Sequence, residues 1–225
     1  MKYFLIFFIC CVVSIGAESV KEKYKLNLQS VYYLDHRDYN TLSVITSAGD
    51  LPLNLSFWGF TDFHGNQLSP IDRSRLTYSF SEYRLTYDLE DLTGVEGLGF
   101  QGEYNYFSKS DKDVARFGPV YKHSLSFLPD GSWLQWRVFP VQTDDGNSQF
   151  SLIYKFVIAE KWSVSGFADY NLNDDAQDRW VIEPQLNYII NDYLSCHLEY
   201  RYNGYEDAND SVKGHGVAFG VGLRF

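Results

Sequence analysis

The chain is short of the features that hold many domains of its size together. It has three cysteines and one methionine in 225 residues. Cys10 and Cys11 fall in the first apolar stretch, so Cys196 stands alone downstream and no intramolecular disulfide can form there. Beyond the extreme N-terminus no apolar run approaches the ~18 residues of a membrane helix, which excludes a bundle of transmembrane helices. Basic residues are scarce as well. Lys and Arg number 19 against 29 Asp and Glu, for a net charge of −10 and a pI near 4.9, which argues against a nucleic-acid partner held by a basic surface. No zinc-type His/Cys spacing, phosphate-binding glycine loop or nucleophile elbow occurs, so neither metal nor other cofactor is expected.

What the chain does have in quantity is tyrosine and phenylalanine, 18 and 17 residues. The N-terminus stands apart from the rest. Lys2, an apolar run from Tyr3 to Val13 and the small-residue stretch Ser14-Ile15-Gly16-Ala17 predict a signal peptide over 1–17, cleaved after Ala17. Residues 18–225 show no linker, low-complexity tract or change of composition, and form one expected domain.

That domain reads as period-2 segments separated by turn residues. From His215 to Phe225, Val217, Phe219, Val221, Leu223 and Phe225 share one face, while Gly216, Ala218, Gly220, Gly222 and Arg224 share the other. About twelve such segments are predicted, near 25–33, 41–47, 53–63, 75–89, 97–107, 114–128, 133–142, 148–158, 162–172, 179–190, 193–204 and 215–225. Glu82-Tyr83 reads as a break of phase and hence a β-bulge, and Pro119 as a second phase shift. Longer, Asp-rich connectors alternate with compact turns such as Pro129-Asp130-Gly131.

A soluble β-sandwich also alternates, but its strands average about 5–6 residues. An all-β, transmembrane antiparallel β-barrel wants tilted strands of ~9–11 residues, an even count, short turns at one end and aromatic girdles at both interfaces. Tyr104, Tyr106, Tyr170, Trp180, Tyr200 and Tyr202 fall at the long-loop ends of apolar faces, and Tyr87, Trp162 and Tyr188 at the short-turn ends. The expected fold is a barrel of about twelve strands in a bacterial outer membrane, in contact with its lipids and lipopolysaccharide.

Two resemblances bear on this. Val217-Ala218-Phe219-Gly220-Val221-Gly222-Leu223-Arg224-Phe225 looks like the C-terminal insertion signal of bacterial outer-membrane proteins, which implies the barrel-assembly machinery as a partner of Phe225. Asn40-Thr41-Leu42, Leu55-Ser56-Phe57-Trp58-Gly59-Phe60-Thr61-Asp62-Phe63 and Ser81-Glu82-Tyr83-Arg84-Leu85 together resemble the nucleoside-specific channel (Tsx-like) family. That resemblance covers about a quarter of the chain and implies a twelve-stranded barrel that passes nucleosides.

With apolar faces toward lipid, the alternate residues line a lumen. The candidate solute-binding set is Trp58, Phe60, Asp62, Arg84, Glu103, Lys122, Arg137, Lys155, Asp169, Glu183, His197, Glu199 and Arg201. The two signs nearly balance, so no strong single-sign filter is expected. Trp58 and Phe60, with Phe107 and Phe167, offer rings to a sugar or base edge, and Asp62 beside them an acceptor. Ser195, His197, Glu199 and Arg201 form the densest cluster, which reads as a solute-binding ladder or an acid/base site, or as ions that satisfy one another and Glu183 across the wall. Small residues on the last strand either leave room for long side chains of the adjacent strand or permit sharp curvature of the barrel. The leading reading is a passive channel for small polar solutes, nucleosides among them, without enzymatic activity. The alternatives are a closed barrel with a structural or surface-interaction role, and an outer-membrane lipid-modifying enzyme. For the enzyme the candidate pair is His123-Ser124, whose side chains point to opposite faces of a strand. Asp144-Asp145, Asp174-Asp175-Asp178 and Glu206-Asp207-Asp210 suggest an acidic rim.

Overall fold

Each predicted segment contains a strand, and the segment 133–142 is split into two. The computed structural model describes residues 18–67, 76–109, 113–143, 147–173, 177–205 and 212–225, so the predicted signal peptide and most of the acidic rim lie outside the described residues. After a short helix, α1 (Glu18–Lys23), come β1 (Asn27–Asp35), β2 (Tyr39–Leu51), β3 (Leu55–Asn66) and β4 (Leu76–Asp88). A single helical turn, α2 (Glu90–Thr93), leads to β5 (Leu98–Phe107), β6 (Val114–Ser124), β7 (Trp133–Phe139) and β8 (Val141–Gln142). The chain then completes β9 (Ser148–Ala159), β10 (Trp162–Leu172), β11 (Arg179–Ile189), β12 (Leu194–Asn203) and β13 (Gly214–Arg224).

The pairing is antiparallel throughout and runs in chain order. β7 and β8 both pair with β6 and are two pieces of one stave, so the thirteen segments make twelve staves. β1 pairs with β13 from Gln29↔Arg224 to Asp35↔Ala218, and the sheet closes on itself. Closure removes the free edges that an open sheet would expose. An even number of staves is what lets first and last meet antiparallel.

The break between β7 and β8 has a local cause. Pro140 has no N–H to give to the ladder, and the register with β6 slips by one residue there, from Val120↔Arg137 to Phe117↔Val141. Opposite it, the Val138 carbonyl fills the space that a Cβ on Gly118 would need. Pro119, expected to shift the phase, does not: Arg116, Val120 and Lys122 on the same strand all line the interior. Nor is there a bulge at Glu82-Tyr83. The registers of β4 with β3 and with β5 run unbroken through both residues. The apparent break in the pattern arises because Tyr78 and Phe80 are aromatic yet face inward, in phase with Glu82 and Arg84.

The wall is apolar outside and polar inside. Leu34 is 50% exposed while its neighbour Tyr33 is 5% exposed, and Leu85, Phe100, Phe117, Leu198 and Phe219 are likewise exposed on outward parity. A belt of that kind is stable only against lipid. At its margins Tyr170 packs on Trp180 and Trp162 on Tyr188, ring centroids 4.7 and 4.6 Å apart; both are directly opposed cross-strand pairs. The small buried core, Val31, Tyr33 and Ala218 with Ile45 against it, sits on the inner side of the β1–β13 seam.

Candidate functional site

The inward faces enclose a cavity of about 1530 Å³. Its lining runs from Gln29, Lys122 and Arg224 beside the short turns to Phe107, Asn171 and Tyr205 beside the long connectors. Trp58, Phe60, Asp62, Arg84, Lys122 and Arg137 line it, as do Lys155, Asp169, Glu183, His197 and Arg201. Glu103 and Glu199 lie on the same faces but deeper, 4% and 7% exposed, under the arginines that hold them. Phe107 and Phe167 also face the cavity.

Two networks organise these charges. The first centres on Glu103. Its cross-strand partners are Arg84 on β4 and Arg116 on β6, so the pairing itself sets a carboxylate between two guanidinium groups. Arg84 Nε donates to Glu103 Oε2 at 3.2 Å, Arg116 Nη1 lies 3.4 Å from Oε1, and Arg137 Nη1 lies 3.7 Å from Oε2. Arg84 also pairs with Glu82, Arg137 donates to Gln135 Oε1 at 3.0 Å, and Arg116 donates to Gln149. Taking such charges from water is costly, and these mutual contacts offset that cost.

The second network surrounds Arg201. Its Nε pairs with Glu199, and its Nη1 reaches Tyr39 Oη at 3.2 Å, Thr41 Oγ1 at 3.3 Å and Asp35 Oδ2 at 3.8 Å. Gln185 Nε2 donates to Glu199 at 2.7 Å. Asp35 is held in addition by Arg37, whose Nε and Nη2 donate at 2.9 and 2.8 Å. Asp35 is the last residue of β1 and keeps its inward parity, two residues beyond the predicted end of that segment; Arg37 belongs to the β1–β2 corner, where alternation gives no direction. The turn there, with Asp38 at φ 62°, folds the Arg37 guanidinium back over Gly216. The bare inner face of β13 thus receives side chains from both neighbouring staves: Arg37 over Gly216, Tyr33 at Gly220, and Ser195 with His197 at Gly222.

The expected ion-pair cluster is therefore rearranged. Glu183 does not join it; no described cation lies within ion-pair distance of its carboxylate. Asp62 accepts from Ser43 Oγ and also has no such cation. His197 turns away from Glu199, with Nε2 2.9 Å from Ser195 Oγ and Nδ1 2.8 Å from Asn187 Oδ1. Hydroxyl, imidazole and amide in that order resemble a nucleophile, its base and an orienting group. Ser195, however, is 1% exposed and is not part of the cavity lining, so a substrate carbonyl does not reach its Oγ in this conformation. His123, for its part, stacks outward on Tyr121 at 5.4 Å.

A run of inward aromatics was only half legible. Trp58, Phe60, Phe80 and Phe107 touch in sequence, with centroids 5.4, 5.5 and 4.8 Å apart. The Arg84 guanidinium caps the Trp58 ring at 4.2 Å. Near the short turns, Lys122 sits 4.4 Å over Trp133. At the loop end Tyr170 Oη donates to Asp178 at 2.7 Å; that bond, with the Asn173 N–H at 3.2 Å, holds the Asp178 carboxyl below the usual carboxylate range.

No family model and no curated protein matches the sequence. Solved structures match it in fold. A KdgM porin aligns over 88% of this chain and 99% of its own, with a TM-score of 0.57 at 9% identity. The NanC porin aligns over 89% and 98%, with a TM-score of 0.53 at 11% identity. The fold is that of an outer-membrane porin. With its apolar outer belt, the wall belongs in the bacterial outer membrane. A second KdgM porin structure, in complex with disordered oligogalacturonate, aligns over 88% and 98% with a TM-score of 0.55 at 8% identity.

Proposed function

We propose that this barrel is a passive channel for small polar solutes. One observation carries the reading: a single cavity of about 1530 Å³ has lining residues at both ends of the barrel, Lys122 and Arg224 at one and Phe107 and Tyr205 at the other. Twelve staves lie between the eight that side chains fill and the 16–18 that leave a wide channel, so a narrow polar pore fits the dimensions. Both signs of charge line it, which suits polar solutes of low net charge better than a single-sign ion filter. The match to porins of similar length supports the same reading.

Nucleosides are the finer expectation. Trp58, Phe60 and Asp62 belong to the stretch that resembles nucleoside-specific channels, and they lie together on the lumen face of β3. A ring face and a carboxylate side by side suit a base and its sugar hydroxyls. Lipopolysaccharide around the rim and the barrel-assembly machinery at Phe225 remain part of the proposal as partners.

Buried charges at mid-lumen favour a second reading, a closed barrel with a structural role. Single-channel recording in a planar bilayer separates the two. Stepwise conductance in potassium chloride is expected; silence from folded, inserted protein would overturn the channel.

A further inference from the structure

The loop-side half of the lumen offers a solute rings and acceptors, while most of its arginine donors are already engaged. The rings form a continuous strip. Phe60 on β3, Phe80 on β4 and Phe107 on β5 follow one another at 5.5 and 4.8 Å, and Phe80 is the direct cross-strand partner of both Asp62 and Phe107. The strip climbs from mid-lumen to the last residue of β5 at the loop end. Trp58 closes its lower end under Arg84.

The polar groups beside the strip share one chemistry. Asp62 has only the Ser43 hydroxyl, and Asn105 Oδ1 and Gln142 Oε1 are buried without a hydrogen-bond partner; all three residues line the same cavity. These are acceptors, and they need donors from whatever passes. The guanidinium groups of Arg84, Arg137 and Arg201 are by contrast bound to carboxylates of their own wall; among the described residues Arg116 Nε is the one buried guanidinium nitrogen without a hydrogen-bond partner. In the loop-side half an anionic solute would meet carboxylates and arginines already paired, while Lys122, Lys155 and Arg224 lie toward the short-turn end. A neutral polyol brings hydroxyl donors on its edge and C–H faces for the rings.

We infer that the loop-side half of the lumen is a track for uncharged sugar rings, short neutral oligosaccharides above all. The inference rests on the channel reading and narrows its solute. Three successive phenylalanine contacts, each weak, let a chain of rings enter and leave by exchanging one site for the next. A single nucleoside would need only one of them.

The test is current blockage in planar bilayers by cellotriose, maltotriose, trigalacturonate and uridine, using the full-length mature barrel. A neutral trisaccharide is expected to block in a concentration-dependent way, with trigalacturonate much weaker. Phe80→Leu keeps apolar volume without a ring, and Phe60→Leu does the same one step below. Each is expected to raise the half-blocking concentration about tenfold while open-channel current persists, which reports that the variant is folded. Trigalacturonate blocking as well as the neutral sugars, uridine alone blocking, or unchanged blockage in both leucine variants would each overturn the inference and leave the channel standing. Absence of current in the unmodified protein would overturn both.

Discussion

The ring of Tyr33 lies against the bare Cα of Gly220, the residue directly paired with it across the β1–β13 seam. A Cβ on Gly220 would come 2.6 Å from Tyr33 Cε1, closer than two carbon atoms pack. The ring is also held from elsewhere: Arg201 lies 4.8 Å over it, and Gln185 donates to its hydroxyl. It cannot swing aside without disturbing both. Gly220→Ala is expected to destabilise the barrel by about 1–3 kcal/mol through overpacking. Urea unfolding in detergent checks this, and an unchanged midpoint would show that the ring moves freely.

Glu103 and Arg201 make opposite predictions. Arg201→Ala leaves Glu199 and Asp35 short of a counter-charge, whereas Glu103→Gln leaves Arg84, Arg116 and Arg137 facing one another. Each is expected to cost about 3–5 kcal/mol where the pair is dry. The ion preference should move toward cations in the first and toward anions in the second. Reversal potentials across a salt gradient measure this directly. A shift of the same sign in both would refute the assignment of these residues to one aqueous path.

The parity on which that argument depends was readable from alternation alone. Glu199 and Arg201 face inward because every second residue of β12 does, and the C-terminal stave ends where its apolar face ends. Other features needed three dimensions. Tyr33, Phe80 and Ile153 sit on inward parity though their chemistry suits either face, so no period-2 argument assigns them a role. Pro140 was visible, but not that its missing N–H would move the register there. Asp35 continues the inward parity of Val31 and Tyr33 past the predicted end of the first segment, and only the turn geometry returns Arg37 to the lumen.

Topology follows from closure. With an even number of staves, both termini and the compact turns share one end, which is expected to face the periplasm. In a Cys196→Ser background, Lys109→Cys should react with an impermeant thiol reagent on whole cells and Asp130→Cys should not. Labelling at position 130 but not at 109 would invert the barrel.

Deletion of Phe225 is expected to lower the amount of heat-modifiable barrel in the outer membrane. Its N–H donates to Leu28 O at 3.0 Å, and Lys21 Nζ donates to its carbonyl at 3.0 Å, so the residue joins the two ends of the chain as well as completing the terminal pattern. Normal levels of the shortened protein, measured by shift on unheated gels, would refute this.

All pairings in the wall but one join staves that follow each other along the chain; the exception is β1 with β13. Hairpins between consecutive staves close short loops and can form as soon as both strands exist. The seam has no such option and waits for the last residues to arrive. Until then the growing sheet carries two unpaired edges, each able to take up a strand from another chain. The final stave therefore acts as a checkpoint on manufacture, where damage would show up as tangled neighbours as well as in a weakened barrel.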